Sequence, residues 1–211
     1  MAKAPEGILG PAYGSVGNFT FYKLNGQSII RKKATFTDKP SAAQLSARGS
    51  LKIMMNFLTR IKPFIKMGYM NQSRGTAKSY FNLAMSYNLK HATQREAEGY
   101  VIDYAKVMLS EGSIALVDEA EVTLSAVGLT FNWQADSTLN WTSQNDQAMM
   151  MAYFPEEDTG IFETSGAKKV VGQGVLPIPA SLLVKRMEIY LAFIADDRCT
   201  VSNSQYLGRI N

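Results

Sequence analysis

One histidine and one cysteine in 211 residues leave this chain poorly supplied for nucleophilic or metal chemistry. His91 is the only ordinary candidate for a general base, and a nucleophile needs such a base within reach. It falls at the basic end of an expected helix, where a histidine interacts well with the helix dipole. Cys199 has no second cysteine for an internal disulfide. It follows Asp196-Asp197-Arg198 in an expected hairpin turn, and neighbouring carboxylates disfavour the thiolate that reactivity requires. The acidic clusters Glu156-Glu157-Asp158 and Asp196-Asp197 lack the ligand spacing of a calcium loop and read as surface turns. Neither GxxxxGK[ST] nor GxGxxG occurs, and Gly14-Ser15-Val16-Gly17 precedes a strand instead of opening a helix. No catalytic, cofactor-binding or metal-ligating residue is therefore assigned. A protein that is not an enzyme, uses no cofactor and has no identifiable small-molecule substrate is expected.

Long apolar runs are also missing. Nothing approaches the 18 residues of a membrane-spanning helix, and MAKAPEGILGPAYGSVG lacks the apolar stretch of a secretory signal. The expectation is a cytoplasmic or particle-associated product without a membrane segment.

The scarcest feature, locally, is negative charge. Residues 39 to 95 contain no carboxylate in 57 positions. Residues 1–110 carry 16 Lys+Arg against 5 Asp+Glu, whereas residues 111–211 carry 6 against 13. A net charge of +4 thus conceals a basic half of +11 and an acidic half of −7. Such asymmetry points to a polyanion for the basic half, to the acidic half of another copy, or to two solvated faces of one compact chain.

What is present has a clear order. A Gly- and Pro-rich arm opens the chain, with Gly7, Gly10, Gly14 and Gly17 beside Pro5 and Pro11. Phe19–Leu24 and Gln27–Lys32 flank Asn25-Gly26, the dipeptide best suited to a tight type I′ turn, and read as a β-hairpin. Phe19, Phe21 and Lys23 share one face, and Thr20, Tyr22 and Leu24 share the other. Both faces are partly apolar, and an isolated hairpin is marginal in water, so this one is expected to add to another sheet, either its own chain's or a neighbour's.

A helix over 42–60 follows, announced by Pro40, Ser41 and Gln44 at capping-box spacing. Leu45, Leu51, Met54, Met55 and Leu58 form its apolar stripe. Pro63 is expected to end or kink it. After a loop near Gly68 to Gly75, Thr76 is placed to cap a second helix over 77–91, packing on the first as an αα-hairpin. Beyond a polar link at 94–99, short alternating segments read as strands at 101–109, 121–126, 129–133, 147–154, 160–164, 175–178, 187–195 and 202–210. The fold class is α+β: an arm and hairpin (1–35), a basic helical hairpin (36–99), and an acidic antiparallel β-sandwich of immunoglobulin or fibronectin III type (100–211). Trp133 and Tyr190 are assigned to the core, as is Trp141, whose loop setting also makes it a candidate surface contact.

Several pieces together resemble a family of roughly 200-residue Bacteroidota proteins catalogued as domain of unknown function 6266. They are GILGPAYGSVGNFTFYKLNGQSIIRKK, PSAAQLSARGS, TAKSYFNLAMSYNLKHA, VIDYAKVMLSEGS and VSNSQYLGRI. The resemblance spans nearly the whole chain and implies a lineage without an assigned reaction. The first piece, through Gly17, Gly26, Arg31, Gln44 and Arg48, also looks like the N-terminal parts of small phage and prophage structural proteins.

Two functions are carried forward. One is a structural protein that forms homo-oligomers by strand addition. Its contacts are Phe19, Phe21, Tyr22, Ile29, Ile30 and Arg31 in the hairpin, opposed by Glu156, Glu157 and Asp158 of another copy. The other is sequence-non-specific nucleic-acid binding through Arg31, Lys32, Lys33, Arg48, Lys52, Arg60, Lys62 and Lys66. Tyr22, Phe36 and Tyr69, interleaved among these cations, are placed to stack on bases.

Overall fold

The structure is a computed structural model. It describes residues 2–4 (backbone only), 13–24, 26–35, 39–97, 99–135, 138 and 141–211. Asn25, Phe36 and the arm residues Pro5, Gly7, Gly10 and Pro11 lie outside the described residues. The chain divides into two units, Met1–Ala42 and Ala43–Asn211.

In the first unit the hairpin forms as its sequence predicts, with strands β3 (Phe19–Leu24) and β4 (Gln27–Lys32) in antiparallel register. Gly26 takes φ +79°, the left-handed conformation that the turn demands and glycine permits. The sheet it joins is built from the same chain. Strand β1 (Ala2–Ala4) pairs with β4, and β2 (Gly14–Val16) pairs with β3, giving the order β1-β4-β3-β2. Of the two sheets the hairpin could join, its own chain's or a neighbour's, the partner strands come from its own arm.

The second unit, Ala43–Asn211, holds the helices and the remaining strands. Helix α1 spans Ala42–Arg60, as its apolar stripe predicts. Pro63 does not end the helical region. A break at Ile61 is followed by α2 (Lys62–Ser73), which carries Pro63 at its start, where no backbone N–H is needed. Helix α3 (Tyr80–His91) begins three residues later than expected. Its cap is Ser79, whose hydroxyl accepts from the Asn82 N–H at 3.2 Å, and not Thr76. The "polar link" is itself strand β5 (Thr93–Glu96), paired with β6 (Gly99–Ile102). The expected long strand over 101–109 therefore stops at Ile102, and a 3-10 turn follows at Tyr104–Lys106.

The remaining strands fall close to their expected positions: β7 (Glu121–Ser125), β8 (Gly128–Asn132), β9 (Gln147–Phe154), β10 (Thr159–Glu163), β11 (Gln173–Pro177), β12 (Met187–Ile194) and β13 (Gln205–Ile210). A short helix, α4 (Trp141–Gln144), precedes β9. They make two antiparallel sheets, β10-β9-β12-β13 and β11-β8-β7. The α+β class with sandwich-like sheets is thereby established.

Strands β9 and β12 are apolar on both sides because both sides are covered. Ala148, Met150, Ala152 and Phe154 join Ile189, Leu191 and Phe193 in a core shared with Leu129, Phe131 and Leu176 of the smaller sheet. Met149, Met151 and Tyr153 with Tyr190, Ala192 and Ile194 face the helices instead, meeting Met54, Phe57, Leu58, Ile61, Phe64 and Ile65. The order of layers is helices, four-stranded sheet, three-stranded sheet. Continuous apolar runs such as QAMMMAYF and MEIYLAFI mark strands buried on two faces.

Candidate assembly interface

The pleat and register of the N-terminal sheet sort its side chains into two faces. Val16 lies opposite Phe19, and Phe21 lies opposite Ile30, so these four share one face. Tyr22 and Leu24 share the other with Ile29. Ile29 is buried, Phe21, Tyr22 and Ile30 are half-buried, and Arg31 is exposed. Among the described residues of this unit, four large apolar side chains stay open to solvent: Tyr13 (64%), Val16 (69%), Phe19 (50%) and Leu24 (53%). Tyr13 and Val16 come from the arm, where the strand-alternation signal is too short to single them out. The two edge strands are three residues each, and edges that short are weak templates for further pairing. The apolar faces, not the edges, are what this sheet offers.

The acidic loop is less available than its sequence suggests. Asp158 Oδ2 accepts from Arg60 Nε at 2.9 Å and Nη2 at 2.6 Å, and Tyr153 Oη donates to Asp158 Oδ1 at 3.1 Å. The Arg60 bonds, and then that from Tyr153, hold the Asp158 carboxyl below the usual carboxylate range. Glu157 pairs with Lys185 at 2.7 Å. Glu156 is exposed. Two of the three carboxylates thus meet cations of their own chain. Through Arg60 and Asp158 the basic helical segment and the acidic β segment meet in cis. Both pairs are solvent-screened and add little stability.

Of the cations proposed for a polyanion, Arg31, Lys32, Lys33, Arg48, Lys52, Lys62 and Lys66 are exposed, as is Arg60, which Asp158 engages. Arg48 and Lys52 lie one turn apart on α1, and Lys62 and Lys66 one turn apart on α2. Tyr69 cannot stack on a base. It is 1% exposed, and its hydroxyl donates to the Met108 carbonyl at 3.2 Å. Trp133 is in the core, with its ring 5.4 Å from that of Phe193 and its Nε1 donating to the Lys169 carbonyl at 2.8 Å. Trp141, also expected in the core, is 79% exposed.

The strongest polar constellation was not foreseen. Glu188 is fully buried on β12, on the face that meets the helices. Its Oε1 accepts from Arg209 Nε at 2.9 Å and Arg186 Nη2 at 3.0 Å, and its Oε2 accepts from Tyr206 Oη at 2.6 Å. Burial, then the hydrogen bond to Glu188 and its charge, push the Tyr206 hydroxyl up to about 12. Burial and the Glu188 charge likewise push Tyr104 up to about 12. A carboxylate held by two guanidinium groups and a phenol has its lone pairs satisfied, which marks it as a structural node. A single Glu inside the apolar run MEIYLAFI was the available signal. Among the described residues no group of three or more His, Cys, Asp and Glu is arranged to hold a metal ion. No helix among them is long and apolar enough to cross a membrane.

No curated protein and no solved structure matches the chain. Residues 11–208, which take in most of the first unit and nearly all of the second, match the profile described as "Family of unknown function (DUF6266)", and the chain belongs to that family.

Proposed function

We propose that this chain is a non-enzymatic structural protein that self-assembles, into a ring, filament or particle-associated array, through its N-terminal sheet. The observation that carries this reading is the sheet's uncovered apolar surface. Val16 and Phe19 are cross-strand partners, at least half exposed, and continue into Phe21 and Ile30 on the same face. Clustered exposed apolar side chains mark interaction surfaces more often than scattered ones. Full burial of a Val or Phe side chain contributes about 1.5–3 kcal/mol, so covering these two stabilises a contact by roughly 2–3 kcal/mol per copy. Strand addition at β1 or β2 and charge contacts between basic and acidic segments would set orientation more than strength. Glu156 is the loop carboxylate best placed for such a contact, since Glu157 and Asp158 have partners in cis.

A second reading, sequence-non-specific nucleic-acid binding, draws support from Arg31, Lys32, Lys33, Arg48, Lys52, Lys62 and Lys66. All are exposed, and none is in an ion pair among the described residues.

One experiment weighs the two. Sedimentation velocity of the full chain is compared with Val16→Thr/Phe19→Thr, which places a strand-favouring β-branched residue at both positions while removing apolar area. Assembly through the sheet predicts at least a tenfold rise in the concentration at which the variant associates, about 1.4 kcal/mol. Unchanged association in the variant counts against it. A parallel run with random-sequence duplex DNA at low and moderate salt supports the second reading if the protein gains mass only with DNA and loses it steeply with salt.

A further inference from the structure

A cavity of about 370 Å³ opens between α4, the 113–115 segment, and the turn that follows β12. That is the lower end of the range for small-molecule sites, about 300–1,000 Å³. Its lining includes Asp146, Asp196, Asp197 and Lys169. Three carboxylates against one ammonium make the described lining net negative.

The carboxylates differ in kind. Asp197 builds its own turn: Oδ1 accepts from the Cys199 and Thr200 N–H groups at 2.7 and 2.8 Å, and Oδ2 accepts from the Thr200 hydroxyl at 2.8 Å. Those bonds hold its carboxyl below the usual range. Asp196 is exposed at the rim. Asp146 is 3% exposed, between α4 and β9. Its backbone is fixed, with the N–H donating to the Ser143 carbonyl at 3.4 Å and its carbonyl accepting from the Lys169 N–H at 2.7 Å. Among the described residues nothing hydrogen-bonds or ion-pairs with its carboxylate, which faces the cavity. Burial pushes the Asp146 carboxyl up, against the opposing pull of Lys169 and with the repulsion of Asp196 and Asp197. Lys169, equally buried, gives one Nζ proton to the Ala115 carbonyl at 2.8 Å and lies 5.1 Å from the centre of the Phe193 ring.

A carboxylate that reaches only the cavity and accepts no hydrogen bond from a described donor has as its natural complement a cation with hydrogen to donate. We propose that this cavity binds the ammonium group of a small alkylamine, with Asp146 as its ion partner, Asp196 drawing it in, and Ile114, Ala115 and Ala195 against its alkyl chain. The chemistry of the lining favours an ammonium over a metal ion, since no metal-holding group of ligands occurs among the described residues.

The sign of the pH effect follows. A carboxyl raised in the folded state favours folding below its unfolded value, and that contribution is lost as pH rises through the folded one. Above that window Asp146 opposes folding until a cation joins it, and amine affinity grows over the same rise in pH.

The test is an amide NMR titration of the full chain at neutral pH with n-butylammonium chloride, against sodium chloride and sodium butyrate at equal ionic strength. The expected result is saturable shifts at Asp146, Lys169 and Thr200 with the amine alone. Affinity should fall at least tenfold in Asp146→Asn and two- to threefold in Asp196→Asn. Asp146→Asn should melt no lower than the parent chain. Shifts reproduced by sodium chloride, saturable binding of butyrate instead, or undiminished amine binding in Asp146→Asn would overturn the proposal. An Asp146→Asn chain that fails to fold would overturn it too, because its carboxylate would then have a structural partner.

Discussion

Gly68→Ala is expected to destabilise the Ala43–Asn211 unit by about 3 kcal/mol, the upper part of the range for overpacking. Gly68 lies in α2, buried against the chain segment at 108–111. A Cβ there would stand 2.3 Å from the Leu109 carbonyl oxygen and 2.8 Å from Ser110 Cα. Both are backbone atoms, so no side chain can swing aside to make room. Neither can the segment retreat. Its Glu111 N–H donates to the Gly68 carbonyl at 3.2 Å, and Gln72 Nε2 donates to the Glu111 carbonyl at 3.0 Å. Leu109 N–H donates to Ser204 Oγ at 2.7 Å, while Asn88 exchanges hydrogen bonds with both backbone groups of Met108 at 2.8 Å. Shifting the segment would leave several buried polar groups unpaired. For a body of this size the loss corresponds to roughly 6–12 °C in melting temperature, measurable by calorimetry. A decrease under 2 °C would mean that α2 does not pack as described.

Glu188→Ala is expected to cost a similar amount, about 3 kcal/mol, by a different route. The substitution removes the common acceptor of Arg186, Arg209 and Tyr206. Both arginine side chains are at least a third exposed and can regain water, whereas Tyr206 is held deeper and loses its 2.6 Å partner. Glu188→Gln keeps the shape and one acceptor, so it should cost about half as much. Urea unfolding of the two variants separates these effects. Equal loss in both would show that charge alone matters, and no loss in Glu188→Ala would show that the network contributes nothing net.

Periodicity was legible where burial is simple. Helix α1 and strands β9 and β12 sit where their apolar patterns place them, because each pattern is long; β9 and β12 are covered on both faces, whereas α1 buries Met54, Phe57 and Leu58 and leaves Leu45, Leu51 and Met55 of its stripe exposed. Helix α2 was hidden by Pro63, which reads as a breaker in a helix interior but is tolerated at a helix start. The segment at Met108 and Leu109 reads as strand in the sequence, yet its order comes from tertiary polar bonds. Side chains of Asn88 and Ser204 satisfy a backbone that no local sequence pattern pairs. The N-terminal hairpin was legible from Asn25-Gly26, but its partners were not, since Ala2–Ala4 and Gly14–Val16 carry three residues each and no usable alternation. Charge segregation along the sequence could not show that Arg60 of the basic half reaches Asp158 of the acidic half within one chain.

Exposed apolar area on the N-terminal sheet is the claim from which the assembly reading follows, and molar mass in solution tests it most directly. Light scattering of the full chain over a hundredfold concentration range should give a mass that rises well above the 23.3 kDa of one copy. A chain beginning at Ala43 should stay at the mass of a single copy throughout. A full-length protein that holds the mass of one copy at every concentration and at both low and moderate salt would contradict the account.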